Sequence, residues 1–155
     1  MRPILVSACL VGRRCRHDGD HCEVSGLREK LLISGCEIVA LCPEEAGGLP
    51  TPRFSARIVG GGGGPVIDGK ARVLCLDGTD VTRAFVRGAE EAARLASVSG
   101  AGLAILKDRS PSCGVREIWR EGEVVAGEGV TTALLRRRGV RVMTADEWSV
   151  DSDSR

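Results

Sequence analysis

The chain has very few aromatic residues: its 155 residues include two Phe, two Trp and no Tyr. Domains that bind single-stranded nucleic acid stack several bases on aromatic side chains, so this scarcity argues against such a platform. The net charge is only +1, from 22 Lys and Arg against 21 Asp and Glu. Because no long-range field of one sign results, we expect neither a nucleic-acid polymer nor a membrane surface as a partner.

Long hydrophobic runs are also missing. The apolar stretch that follows Met1 to Pro3 is only a few residues long, which is too short for the core of a signal peptide. No run approaches the roughly 20 apolar residues of a membrane-spanning helix. We therefore expect a cytoplasmic protein. Thiols stay reduced in that compartment, so the seven cysteines are expected to bind metal or react rather than form disulfides.

Strand and helix patterns alternate along the sequence. The main predicted strands cover residues 4–8, 38–41, 103–106 and 140–143, and the clearest helices cover residues 81–97 and 130–138. This alternation predicts an α/β fold: a single three-layer, Rossmann-like domain with a mostly parallel sheet and helices on its faces. We expect that domain to span residues 1–148, with residues 149–155 as a flexible tail.

Between these elements the patterns are weaker. Residues 44–52 are rich in Gly and Pro and are predicted to form a loop. Short strands are predicted over residues 57–59 and 66–75, and residues 115–125 fit either a hairpin or an irregular excursion. Thr144 and Glu147 have the spacing of a capping box, which predicts a short final helix.

Two motifs suggest a site and are set aside. Residues 64–70 have the spacing of a phosphate-binding loop, but Ala71 follows where a hydroxyl is required, and a strand pattern follows where a helix is required. Residues 15–22 contain both histidines between Cys15 and Cys22, without the separated pairs of common zinc modules. A flexible connector and a polar loop, respectively, are the simpler interpretations.

Three cysteines stand apart from the others because each lies just beyond a predicted strand. Cys9, Cys42 and Cys113 would meet at the carboxyl edge of the sheet if the three strands are parallel, and open α/β folds build their sites at that edge. Three thiolates without a fourth protein ligand form a set suited to a metal centre with one open position. Cys36 and Cys75, in contrast, lie at strand ends that favour simple burial.

Several blocks resemble the thiouracil desulfidase family, and they occur in order over nearly the whole chain. The blocks are SACLVG (residues 7–12), RHDG (16–19), LCPE (41–44), GGLPTPR (47–53), DGTDVT (77–82), LK (106–107), RSPSCG (109–114) and GVT (129–131). His17 stands where the family usually has an aromatic residue, and residues 115–125 are shorter than their family counterpart. Cys15 is not required by the family pattern.

The resemblance implies a cytoplasmic enzyme that removes sulfur from thiolated pyrimidines with a 4Fe–4S cluster. On that pattern Cys9, Cys42 and Cys113 would bind the cluster and leave one iron open. Glu44 would activate water, and Ser110 would donate a proton or contact the substrate. The substrate would be 2- or 4-thiouracil, or its nucleoside or nucleotide.

The chemistry also follows from the residue types. A thiocarbonyl sulfur is soft and matches an open iron, and Glu44 could take a proton from water that attacks the ring carbon. The carbonyl replaces the thiocarbonyl and sulfide leaves without net electron transfer. Further substrate-binding candidates, which would orient the ring or a phosphate, are Asp18, Arg53, Arg57 and Lys107.

Two alternatives remain open from the sequence. A non-catalytic iron–sulfur or zinc module with a regulatory role would use the same thiols but would not need Glu44 or Ser110. A thiol hydrolase or transferase would use one activated cysteine, which normally needs a nearby base. No histidine is adjacent in sequence to the three strand-end cysteines. The sequence is silent on oligomeric state.

Overall fold

The structure is a computed structural model that describes residues 1–120 and 122–153. The strands are β1 (Arg2–Ser7), β2 (Cys36–Leu41), β3 (Ala56–Val59), β4 (Arg72–Cys75), β5 (Leu103–Ile105), β6 (Glu117–Arg120), β7 (Glu123–Ala126) and β8 (Arg141–Met143). The helices are α1 (Leu27–Ile33), α2 (Pro43–Ala46), α3 (Gly63–Ile67), α4 (Thr82–Ser99), α5 (Val130–Arg137) and α6 (Ala145–Asp153), and a 3-10 turn covers Ala8–Val11. Within these ranges no helix is long and apolar enough to cross a membrane.

The central sheet has four parallel strands in the order β2-β1-β5-β8. Alternate residues of β1 face opposite sides: Leu5 packs in the cluster that contains Phe85 of α4, whereas Ile4 packs in the cluster that contains Leu31 of α1 and Trp148 of α6. Both faces of the sheet are therefore covered by helices. The predicted three-layer α/β architecture with a parallel sheet is confirmed.

The long helix forms where its pattern predicts. In α4 the buried residues Phe85, Ala89, Ala92 and Ala96 fall at helical spacing on one face. The helix begins where the Thr82 amide donates a hydrogen bond to Asp80 Oδ1 (2.9 Å) and ends at Gly100, which has a φ of 78°. Only glycine adopts that left-handed conformation without steric cost, so the end of the helix is fixed by the sequence.

The predicted loop over residues 44–52 is wrong at its start, since α2 covers Pro43–Ala46. Proline at the first helical position already has a helical φ, and Glu44 and Glu45 in the first turn favour the helix dipole. The turn packs closely on α4, because a Cβ on Gly88 would collide with the carbonyl of Pro43. Tertiary packing therefore stabilises a helix too short to persist alone.

The predicted strand over residues 66–75 is also wrong in its first half. Helix α3 covers Gly63–Ile67, and strand β4 begins only at Arg72, pairing with β3 in an antiparallel hairpin. Gly63 lets α3 approach the start of α5, since a Cβ there would collide with the Gly129 carbonyl. Part of the glycine run thus serves close packing rather than a flexible connection.

Two further predictions concern the second half of the chain. The antiparallel hairpin of β6 and β7 begins at Glu117 and ends at Ala126, one residue beyond the predicted range 115–125, so the hairpin alternative is confirmed. The capping box is confirmed as well: the Glu147 amide donates to Thr144 Oγ1, and the Thr144 amide donates to Glu147 Oε1, each at 3.2 Å. Helix α6 continues to Asp153, into the segment predicted as a tail, and residues 154–155 lie outside the described residues.

Candidate active site

A cavity of about 850 Å³ lies at the carboxyl edge of the parallel sheet, and Cys9, Cys42 and Cys113 all line it. Cys9 follows β1 in the 3-10 turn, Cys42 lies between β2 and α2, and Cys113 lies in the loop after β5. All three are buried, with small exposed surfaces that face the cavity. The structure therefore brings together the three thiols that the strand positions singled out.

Cys15 is a fourth thiol in the same wall of the cavity. Contact with the Cys42 thiol lowers the pKa of Cys15, but contact with Cys9 and burial outweigh it and raise that pKa to about 11. Contact with Cys15 and burial raise the pKa of Cys42 above its ordinary value, and burial raises the pKa of Cys113 to about 12. Burial and contact between thiols therefore favour the neutral form of these three side chains, whereas an activated thiolate nucleophile needs a lowered pKa.

The remaining cysteines do not line the cavity. Cys36 and Cys75 are buried in β2 and β4, as predicted, and Cys22 is half-buried. Among the described residues no three His, Cys, Asp or Glu side chains converge on a position for a single metal ion. The segment over residues 15–22 therefore gains no support as a zinc site.

The donor set nevertheless fits an iron–sulfur cluster. Soft thiol donors suit iron–sulfur clusters, and each cysteine ligand of a cubane binds a different iron, so the ligands need not crowd around one point. Three buried thiols from separate strands, around a cavity large enough to receive both a cluster and a small ligand, satisfy this requirement. Their role as ligands stays a prediction.

Glu44 lines the same cavity and is held by an ion pair with Arg53. The Arg53 Nε donates to Glu44 Oε1 at 3.0 Å, and the side chains are only 6% and 14% exposed, respectively. Arg53 also donates from Nη2 to the Cys15 carbonyl (2.9 Å) and from Nη1 to Thr51 Oγ1 (2.8 Å). Its guanidinium is thus directed at protein groups, and it fixes the Glu44 carboxylate beside the thiols.

A chain of two serine hydroxyls reaches Glu44 from the Cys113 loop. Ser112 Oγ donates to Glu44 Oε2 at 2.8 Å, so its own oxygen accepts from Ser110 Oγ at 2.9 Å. The Ser110 oxygen in turn accepts the Cys113 amide at 3.1 Å. The predicted residues Glu44 and Ser110 are therefore connected through Ser112, which the sequence analysis did not single out.

The backbone of the Cys113 loop is fixed at both ends. Asp108 Oδ1 accepts the amides of Arg109, Val115, Arg116 and Glu117 at 2.8–3.1 Å. These hydrogen bonds hold the pKa of Asp108 below its usual value despite the opposing effect of burial. At the other side, the Thr131 amide at the start of α5 donates to the Ser112 carbonyl at 2.8 Å. The loop is rigid where it presents Ser110, Ser112 and Cys113.

Of the other predicted substrate-binding residues, two line the cavity and one does not. Lys107 and Arg57 line the cavity; the Lys107 ammonium donates to the Asp108 carbonyl (2.9 Å), and Arg57 makes one long contact with the Cys75 carbonyl (3.5 Å). Asp18 is not among the residues that line the cavity, and its Oδ1 accepts the Asp20 amide at 3.0 Å. Its neighbour His17 does line the cavity.

The sequence analysis missed several cavity residues besides Ser112. Arg16, Leu76, Arg109 and Trp119 line it as well. Arg16 lies in the RHDG block, which carries the family resemblance, and could have been included with Asp18. Leu76 and Trp119 belong to the two hairpins, whose position relative to the sheet no local pattern reveals.

The fold and the cavity define an α/β protein with buried thiols and a fixed carboxylate at the carboxyl edge of a parallel sheet. Residues 4–147 match the model of the 2-thiouracil desulfurase family, and the chain belongs to that family. The resemblance drawn from the sequence blocks is thereby confirmed.

Two relatives cover almost the whole chain. The protein YbbK of Bacillus subtilis (strain 168) is 40% identical over 147 residues, which are 93% of this chain and 96% of that protein. The solved structure of the 4Fe–4S-dependent thiouracil desulfidase TudS is 43% identical, with a TM-score of 0.82 over 97% of this chain and 95% of its own. At these values the chain shares its fold with the solved structure of TudS.

Proposed function

We propose that this chain is an iron–sulfur-dependent desulfidase that replaces the thiocarbonyl sulfur of a thiolated pyrimidine by oxygen and releases sulfide. The substrate is 2- or 4-thiouracil, or the corresponding nucleoside or nucleotide. Membership of the 2-thiouracil desulfurase family and the likeness to TudS support the reaction. The observation in this chain that carries the proposal is a partly buried, ion-paired carboxylate, Glu44, in the wall of the same cavity as the thiols of Cys9, Cys42 and Cys113.

Cys9, Cys42 and Cys113 would hold the cluster, one iron of which has no protein ligand. When bound, the cluster supplies a Lewis acid that draws electron density from the thiocarbonyl sulfur and makes the ring carbon electrophilic.

The chain's own groups move the protons. Glu44, oriented by its ion pair with Arg53, takes a proton from a water molecule as the water oxygen bonds to the ring carbon. The carbon–sulfur bond breaks as the hydroxyl group left on the ring carbon becomes the carbonyl, and the hydroxyl proton and the proton held by Glu44 both pass to the departing sulfur, so one water is consumed and one hydrogen sulfide is released. Ser110 and Ser112 connect Glu44 to the loop and provide a route for that proton. No electron acceptor is needed.

Substrate binding is assigned to two half-buried cations in the cavity wall. Lys107 and Arg57 have donors available for ring carbonyl or phosphate oxygens, whereas Arg53 acts chiefly by positioning Glu44. Asp18 itself does not line the cavity, and it remains a candidate only because its neighbour in the RHDG segment, His17, does. We further propose that residues 1–148 act as one domain and that the protein works in the cytosol, where its thiols stay reduced.

The experiment is anaerobic reconstitution of the full chain with iron and sulfide, followed by metal analysis and a turnover assay. We expect about four irons per chain, a broad visible absorption band, and stoichiometric sulfide and uracil from 2- or 4-thiouracil. A protein that binds the cluster but releases no sulfide from either base, nucleoside or nucleotide would instead be the non-catalytic module. A protein that binds no iron in this treatment contradicts the proposal outright.

A further inference from the structure

The few aromatic residues of the chain are distributed unevenly. All four Phe and Trp residues lie in the described part of the chain; Phe85 and Trp148 are in the two cores, and Phe54 is exposed and does not line the cavity. Trp119 alone of the four lines the cavity, and it is 48% exposed. A large apolar ring left half exposed in a cavity wall, when burial would stabilise the protein, points to a ligand that covers it.

The hairpin fixes the direction of the Trp119 side chain. Successive residues of a strand face opposite sides, and the preceding residue of β6, Ile118, is buried in the core. Trp119 must therefore face away from that core, which is the side of the cavity.

Strand β6, which carries Trp119, is hydrogen-bonded to the loop that precedes Cys113. Its amide donates to the Arg109 carbonyl at 3.2 Å, and the Arg109 amide donates to the Glu117 carbonyl at 3.0 Å. Arg109 belongs to the loop that carries Ser110 and Cys113. The backbone of Trp119 is thus hydrogen-bonded to the same loop that carries the proposed cluster ligand Cys113.

A second apolar side chain reaches the cavity from the other hairpin. Leu76 follows β4, is 73% exposed and lines the cavity, and strands β3 and β6 contact each other so that both hairpins border it. Arg57 in β3 and Arg109 in the Cys113 loop add cations beside these two side chains in the cavity wall. Two exposed apolar surfaces with flanking donors match a flat ring whose edges carry carbonyl oxygens.

We propose that Trp119 stacks on the pyrimidine ring of the substrate, with Leu76 contributing the apolar contact from the facing hairpin. This assignment rests on the proposed desulfidase function. One indole suits a single base rather than a strand of nucleic acid, in agreement with the scarcity of other aromatic residues. Trp119 is then a substrate-binding residue that sets affinity for the ring, while Glu44 serves the reaction.

The first test is steady-state kinetics of the reconstituted protein with 2-thiouracil. A base stacked on an aromatic side chain loses about 5-fold or more in affinity when that side chain becomes Ala. We expect Trp119→Ala to raise KM by at least that factor with kcat within about 2-fold of wild type. Trp119→Phe, which keeps an aromatic face, should stay within about 2-fold in KM, whereas Trp119→Leu, apolar but not aromatic, should behave like the Ala variant.

The matched control is Phe54→Ala, which removes an exposed aromatic side chain outside the cavity and should leave KM unchanged. The second test is calorimetric titration of the reconstituted proteins with uracil, which binds without reacting. Uracil affinity should fall in Trp119→Ala and Trp119→Leu and be kept in Trp119→Phe.

The outcomes separate this inference from the proposed function. Wild-type turnover with an unchanged KM in Trp119→Leu, or equal uracil affinity in all variants, overturns the stacking assignment and leaves the desulfidase intact. Wild-type protein that releases no sulfide but binds uracil in a Trp119-dependent way overturns the reaction and supports the stacking site. If Trp119→Ala fails to fold, the comparison of Trp119→Leu with Trp119→Phe tests the stacking assignment.

Discussion

Replacing Glu44 by Gln removes the carboxylate charge from the cavity while keeping a side chain of nearly the same size. The amide oxygen can still accept from Arg53 Nε, which now lies 3.0 Å from Glu44 Oε1. On the other side, the Ser112 hydroxyl, 2.8 Å from Glu44 Oε2, can rotate to accept from the new amide group. The shape of the site is therefore kept, and only its ability to take a proton is lost.

Both the loss of turnover and the loss of stability in Glu44→Gln can be estimated. A positioned general base contributes about 10²–10⁴-fold to a rate, so we expect kcat to fall at least about 100-fold. Removing one partner of a buried ion pair costs up to about 3–5 kcal/mol in unfolding free energy. In the Glu44→Gln protein, Arg53 still donates hydrogen bonds to the Cys15 carbonyl, to Thr51 Oγ1 and to the new amide oxygen. We therefore expect the unfolding free energy to fall by only about 1–2 kcal/mol.

The assay is sulfide release from 2-thiouracil by reconstituted protein, normalised to iron content. The matched control is Glu45→Gln, because Glu45 is the next residue of α2, pairs with Arg13 (2.8 Å) and does not line the cavity. Glu45→Gln should keep turnover within a few-fold of wild type. A Glu44→Gln protein with full iron content and near wild-type turnover would show that the carboxylate is not the base.

Two other changes probe the thiols and the loop. Cys113→Ser should lower the iron content after reconstitution and remove most of the visible band, whereas Cys36→Ser, a buried cysteine outside the cavity, should keep both. Asp108→Asn should lower the unfolding free energy by about 1–3 kcal/mol, measured by urea denaturation, because four backbone amides lose a charged acceptor. Since the folded-state pKa of Asp108 is lowered, its contribution is complete above the ordinary carboxyl pKa and is lost as the pH falls below it. The wild-type protein should lose this part of its stability in acid, and Asp108→Asn should not; equal losses would contradict the assignment.

The parts of the fold that follow from local pattern were predictable. The apolar periodicity of α4, the capping box at Thr144 and the alternation of strands with helices each depend on neighbouring residues. Helices α2 and α3 were not predictable in this way, because they are only 4 and 5 residues long and exist by packing on α4 and α5. Their stability comes from residues far away in the sequence, such as Gly88 and Gly129.

The sequence by itself determined which residues are the candidates for the chemistry. Three strand-end cysteines and the blocks around Glu44 and Ser110 are local features, and parallel strands must deliver their carboxyl ends to one edge. Only the tertiary structure decided how these groups are connected. It directs Arg53 at Glu44 rather than outward, inserts Ser112 between Glu44 and Ser110, and turns Trp119 toward the cavity. Such contacts join residues tens of positions apart, and their geometry is set by packing of whole elements, which no local pattern contains.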